Sequence, residues 1–161
     1  MKTAFAPIVN EYATILILGT MPGERSLALQ QYYGHAANHF WKIMFVLLGQ
    51  PFSKDYLVRK QLLLDNHIAL WDVLQFCEGK GSSDNNIRNE IPNNFAGFYA
   101  AYPQINKVFF ASQAAEKYYL KYVGNLAGLV KEYHTLPSPS SANTWKTFAQ
   151  KLDEWQIVLN N

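Results

Sequence analysis

Three short stretches of this chain gather residues able to do chemistry on a polar ligand. Gly19-Thr20-Met21-Pro22-Gly23 sets two glycines, which let backbone come close to a ligand, around a proline that fixes a turn. It is not a nucleotide-phosphate loop, because neither Gly-x-Gly-x-x-Gly nor a Walker lysine is present. Taken alone, a plain strand-to-helix turn explains it equally well. The second stretch, Gln31-Tyr-Tyr-Gly-His-Ala-Ala-Asn-His-Phe-Trp41, crowds Tyr33, His35, Asn38 and Phe40 ahead of a helix. Asn38 stands where an N-cap would, a role Asn fills well. His35 and His39 are not spaced or partnered as metal ligands, so no metal is expected. The third stretch is Leu136-Pro137-Ser138-Pro139-Ser140-Ser141-Ala142-Asn143. Prolines would hold its backbone extended while hydroxyls, backbone N–H groups and the N-terminus of a following helix face outward, a surface suited to phosphate oxygens. A Pro-Ser loop that only caps a helix is the simpler account.

These stretches need elements to position them. Thr14 to Leu18 is a continuous apolar, β-branched run ended by Gly19, as a parallel strand covered on both faces reads. Ile68 to Trp71 and Lys107 to Phe110 read alike, and a fourth strand is expected over Val130 to Leu136. Between them, Phe40, Ile43, Met44, Leu47 and Leu48 mark one helix face, Ala115, Tyr118, Tyr119 and Tyr122 a second, and Trp145, Phe148, Leu152 and Trp155 a last stripe. Alternating strands and helices predict an α/β fold: a three-layer α/β/α sandwich around a four-stranded parallel sheet, in one domain over 1–161. Ligands of such sheets sit beyond the carboxyl ends of the strands. Chemistry is therefore expected at residues 19–23, 72–86, 111–113 and 137–143.

Composition agrees with a globular chain. Of 161 residues, 49% are hydrophobic and 16% charged, far from the balance of disordered chains. Cys77 is the single cysteine, which excludes an internal disulfide and any iron–sulfur cluster held by four thiolates of this chain. No apolar run reaches the ~18 residues of a membrane span, and a cytoplasmic protein is expected. The net charge of +2 is compatible with a polyanionic partner without pointing to one. Aromatic residues at 15% could stack on bases, but more commonly fill cores.

Taken together and in this order, the three stretches resemble the uracil-DNA glycosylase superfamily. Gly19-Thr-Met-Pro-Gly23 is similar to its water-activating loop and Leu136-Pro-Ser-Pro-Ser-Ser141 to its DNA-intercalating loop. His35-Ala-Ala-Asn-His-Phe-Trp41 is similar to the His-Pro-x-Asn-x-Phe-Trp of the mismatch-specific and hypoxanthine branches, with Ala36 in place of Pro. Trp71-Asp-Val-Leu74 resembles the base-reading strand end, and Phe110-Ala-Ser-Gln-Ala-Ala115 the start of the next helix, although Ala111 departs from the usual residue. The likeness runs from about Thr14 to Trp155.

The resemblance implies a monofunctional glycosylase that hydrolyses the N-glycosidic bond of deaminated bases in base excision repair, hypoxanthine first, with uracil or xanthine as further substrates. It implies DNA as partner, no cofactor, and a monomer. Uracil-specific members carry Asp or Asn where Met21 stands, so the water-orienting role passes to Asn38, as in the hypoxanthine branch. The base pocket would comprise Gly19, Thr20, Met21, Pro22, Gly23, Tyr33, His35, Phe40, Asp72 and Ser112. In it, backbone N–H groups near Thr20 and Met21 shape the cavity, and Asp72 either accepts from the N1–H of hypoxanthine or merely anchors a loop. Tyr33 or Phe40 would stack on the base, unless Phe40 belongs to the core. DNA contacts would fall to Leu136, Pro137, Ser138, Pro139, Ser140, Ser141 and Asn143. Leu136 replaces the His that stabilises the leaving base in the strongest uracil enzymes, and Ser140-Ser141-Ala142 offers no large apolar wedge, so modest activity is expected. Imine chemistry is not expected, because no lysine falls in these stretches. A non-catalytic module for damaged or single-stranded DNA remains open. A flavodoxin-like or hydrolase-like small-molecule enzyme is the remaining class, without a Gly-x-Ser-x-Gly elbow to favour it.

Overall fold

The computed structural model describes residues 1–124 and 132–159. Strands β1 (Lys2–Thr3), β2 (Ile15–Gly19), β3 (Ile68–Asp72), β4 (Leu74–Glu78), β5 (Arg88–Pro92), β6 (Lys107–Phe110) and β7 (Glu132–Thr135) alternate with six helices. The helices are α1 (Glu24–Leu29), α2 (Phe40–Leu47), α3 (Tyr56–Asp65), α4 (Phe95–Ala101), α5 (Gln113–Tyr122) and α6 (Phe148–Trp155).

The central sheet has the order β3-β2-β6-β7, every pair parallel, as its apolar runs predict. Period-two alternation divides its side chains between two cores. Ile17, Leu70 and Phe109 pack with Phe40, Met44, Leu63 and Trp155, from the layer of α2, α3 and α6. Leu16, Leu18, Val108 and Phe110 pack with Phe95, Phe98, Ala115 and Tyr119, from the layer of α4 and α5. These are the three expected layers.

Three details differ from the sequence reading. Residues 72–86, expected only as a loop, contain β4, which joins β1 and β5 in a separate antiparallel sheet. The edge strand β7 is mostly exposed, and of the expected span Val130 to Leu136, Val130 and Lys131 lie outside the described residues. Trp145 is not on the last helical stripe: α6 starts at Phe148 behind a Thr147–Gln150 capping box, which leaves Trp145 three residues ahead of it and 92% exposed. Among the described residues no helix is long and apolar enough to cross a membrane.

Candidate active site

The carboxyl ends of β2, β3, β6 and β7 open onto one cleft of about 690 Å³. Residues 19–23, Tyr33, His35, Asn38, Asp72, Ser112 and residues 138–143 line it, so four strand-end segments far apart in sequence converge. Three predicted site residues do not. Phe40 is fully buried, its ring stacked under Tyr33 at 4.2 Å, so it packs the core and supports Tyr33 from behind. Leu136 is buried against the same core, and neither it nor Pro137 lines the cleft.

The floor is built around Gly19. A Cβ at that position would lie 2.6 Å from Asp72 Oδ1 and 2.9 Å from the Tyr33 hydroxyl, so only glycine leaves room for both groups. Tyr33 reaches this spot with φ at +52°, a strained conformation for an aromatic residue. Its neighbours hold it there. The Tyr32 N–H donates to the Tyr56 hydroxyl, the Tyr32 carbonyl accepts from Trp41 Nε1, and the Gly34 N–H donates to Ser26 Oγ. Asp72 Oδ2 and the Tyr33 hydroxyl are buried, and among the described residues neither has a hydrogen-bond partner. Such orphans cost roughly 1–3 kcal/mol each, and two at the base of a cleft are positioned for a ligand. Burial, and then the charge of Asp84, push the Asp72 carboxyl up to about 8. Burial also lifts the Tyr33 phenol well above its usual range, so it stays a proton donor.

Above the floor, the Gly19 and Thr20 carbonyls accept from the Val73 and Leu74 N–H groups. In trans peptides the next N–H groups, those of Thr20 and Met21, point the opposite way, and among the described residues neither has an acceptor. The Thr20 hydroxyl lies 3.4 Å from Ser112 Oγ, which itself caps α5 by accepting from the Ala115 N–H.

Asn38 caps α2 by a variant of the expected route. His39 takes the N-cap position without a side-chain bond, while Asn38 Oδ1 accepts from the Phe40 N–H at 2.9 Å. A carbonyl oxygen has a second lone pair, so capping leaves this amide able to hold a water. The Asn38 wall and the Pro-Ser wall are joined directly: the His39 N–H donates to the Pro139 carbonyl at 2.8 Å. Beneath them Lys151, only 1% exposed, donates from Nζ to the Ser140 carbonyl and to His39 Nδ1. Burial lowers the pKa of both His39 and Lys151, and their mutual repulsion adds to the effect on His39, consistent with a neutral imidazole accepting from an ammonium.

Part of the polar face expected of the Pro-Ser segment is used within the loop itself. The N–H groups of Ser140, Ala142 and Asn143 are used within the loop, on Ser138 Oγ, Ser140 Oγ and the Ser140 carbonyl. The N-terminus of α6 lies beyond Trp145, and its capping box uses the Thr147 and Gln150 N–H groups. Among the described residues, the Ser138 and Ser141 N–H groups and the serine hydroxyls remain for a phosphate, with Ser138 Oγ and Ser140 Oγ already fixed as acceptors.

Comparison with known proteins agrees with this geometry. The description "Uracil DNA glycosylase superfamily" matches residues 6–159. A hypoxanthine DNA glycosylase of Methanosarcina acetivorans is 33% identical over 164 residues, covering 100% of this chain and 99% of the relative. One of Methanosarcina barkeri is 35% identical over 118 residues, covering 73% and 75%. The chain belongs to the uracil DNA glycosylase superfamily. Membership makes it a DNA glycosylase, acting on the bond between base and sugar. A solved structure shares the fold with a TM-score of 0.79 at 29% identity over 99% of both chains: a solution NMR structure of a protein from Methanosarcina acetivorans provisionally described as a uracil DNA glycosylase.

Within this superfamily member, sequence reasoning missed several cleft residues. Arg25 and residues 82–85 also line the cleft. Burial raises the Asp84 carboxyl above its usual range, an effect the Thr20 hydroxyl opposes, and its charge acts on Asp72. The post-strand rule flagged residues 72–86, but nothing in the local pattern singled out Asp84. Lys151 was invisible as well, because its helical spacing reads as a solvated position.

Proposed function

We propose that this glycosylase removes hypoxanthine from DNA by hydrolysis, with Asn38 as the water-orienting group. A target base must leave the stack, which is easiest for a mispaired, deaminated one. In the cleft its lactam edge meets the orphan pair at the floor: Asp72 accepts from N1–H and the Tyr33 hydroxyl donates to O6. Adenine carries an amino group at C6 in place of O6, so it gives the Tyr33 hydroxyl no oxygen to donate to and is disfavoured at that contact. Phe40, stacked against the Tyr33 ring, holds that hydroxyl in place.

Bond cleavage puts positive character on the sugar and negative charge on the base, so fixed dipoles matter more than a strong nucleophile. The free N–H groups of Thr20 and Met21 stabilise the departing base, while Asn38 Oδ1 directs water to the anomeric carbon. Among the described residues no lysine lines the cleft, which supports hydrolysis over imine chemistry. The observation that carries the reading is the unpartnered Asp72–Tyr33 pair beneath Gly19, in the cleft that also holds Asn38.

The test is a single-turnover assay on duplexes containing hypoxanthine, uracil, xanthine or only normal bases, with alkali to reveal abasic sites. Hypoxanthine should be released fastest. Binding without release would leave only a DNA-recognition module. Strand scission without alkali would refute the monofunctional mechanism.

A further inference from the structure

We infer that Trp145 stacks into the DNA duplex beside the flipped nucleotide and fills the space that nucleotide vacates; this rests on the glycosylase reading above. Of the chain's four tryptophans, Trp41, Trp71 and Trp155 are 2%, 8% and 0% exposed, whereas Trp145 is 92% exposed. Trp145 belongs to neither hydrophobic core, which leaves its ring open to a partner.

Its position is continuous with the DNA-facing rim. Asn143, two residues earlier, lines the cleft, so the two Cα atoms are at most about 7 Å apart, roughly two base steps. The tether is anchored at both ends. On one side Asn143 Nδ2 donates to the Ser138 carbonyl, and Lys151 holds the Ser140 carbonyl from below. On the other, the Thr147 capping box fixes the start of α6, and Phe148 packs edge-on against His39 at 5.2 Å. Lys146, adjacent to Trp145, adds a cation on this side, paired with Glu154.

The chemistry of extrusion supplies the occupant. Expelling a nucleotide exposes the faces of the flanking bases and an orphaned partner base, flat apolar surfaces that an indole covers well. Ser140, Ser141 and Ala142 on the same rim are too small to do so. Trp145 is the large aromatic residue held next to them.

Because the other tryptophans are buried, changes in intrinsic emission on binding report mainly on residue 145. The protein would be titrated with a duplex carrying a tetrahydrofuran abasic analogue and, separately, with the same strand unpaired. The expected result is quenching of the wild type by the duplex, absent in Trp145→Ala. That variant should bind the duplex about tenfold more weakly, Trp145→Phe should recover most of the loss, and affinity for the single strand should be little changed, since a single strand has no gap. Hypoxanthine release from duplex should fall in parallel for Trp145→Ala. Equal duplex affinity of Trp145→Ala and wild type, or equal losses on duplex and single strand, would overturn the inference. A wild type that binds the analogue with quenching but releases no hypoxanthine would refute the substrate reading and leave the stacking role standing.

Discussion

Asp72→Asn isolates the most unusual electrostatic feature of the cleft. The carboxyl is buried and 4% exposed, with an ordinary value of 3.8 raised to about 8 by burial and by Asp84. Between those values the native state holds a proton that the unfolded chain releases. Stability from this group is therefore fully present below pH 3.8 and is lost as pH rises through about 8. Each pH unit in that window removes about 1.4 kcal/mol, for roughly 6 kcal/mol in all. Asparagine copies the shape of the protonated carboxyl without the titration. The variant should thus be the more stable protein, by a margin that grows by roughly 3 kcal/mol from pH 5 to pH 7. For a chain of this size the margin in Tm grows by roughly 5–10 °C. Urea unfolding of both proteins at pH 5, 6, 7 and 8 measures it, and background titrations cancel in the difference. The same reasoning predicts an alkaline fall in wild-type single-turnover rate near pH 8, because an ionised carboxylate opposes the charge developing on the departing base. Asp72→Asn should remain flat there. A stability difference that does not change with pH, or parallel alkaline limbs in the two proteins, would refute the buried-proton argument.

Asn38→Ala should reduce the single-turnover rate by about 10²-fold or more, while loss of its bond to the Phe40 N–H costs about 1 kcal/mol by thermal melting; a purely capping residue would show the second effect alone. Gly19→Ala drives a methyl into Asp72 and Tyr33, so it should destabilise the protein by about 1–3 kcal/mol and abolish hypoxanthine release at saturating enzyme. Lys151→Met leaves the Ser140 carbonyl and His39 Nδ1 without their buried donor; KM for lesion duplex should rise several-fold more than kcat falls, and stability should drop by about 1–3 kcal/mol in chemical denaturation.

The central sheet was legible because Ile15–Gly19, Ile68–Asp72 and Lys107–Phe110 are covered on both faces and carry unbroken apolar runs. The antiparallel sheet was not. β4 reads Leu-Gln-Phe-Cys-Glu with two exposed positions, and its pairing with Lys2–Thr3 joins residues more than 70 positions apart. Trp145 fits the 3.6-residue spacing of Phe148, Leu152 and Trp155, and only the stop imposed by the Thr147 cap removes it from that face. Within the cleft, residues in contiguous motifs were readable. Lys151 and Asp84 owe their importance to neighbours on other segments, which no local pattern carries.

The bond from the His39 N–H to the Pro139 carbonyl, with the Lys151 ammonium beneath, has a kinetic consequence. Under the proposed function, the wall assigned to water and the wall assigned to the DNA backbone are already joined in the free protein, so little ordering opposes association. The same clamp would then grip the abasic strand, and its departure, rather than bond cleavage, is expected to govern the steady-state pace.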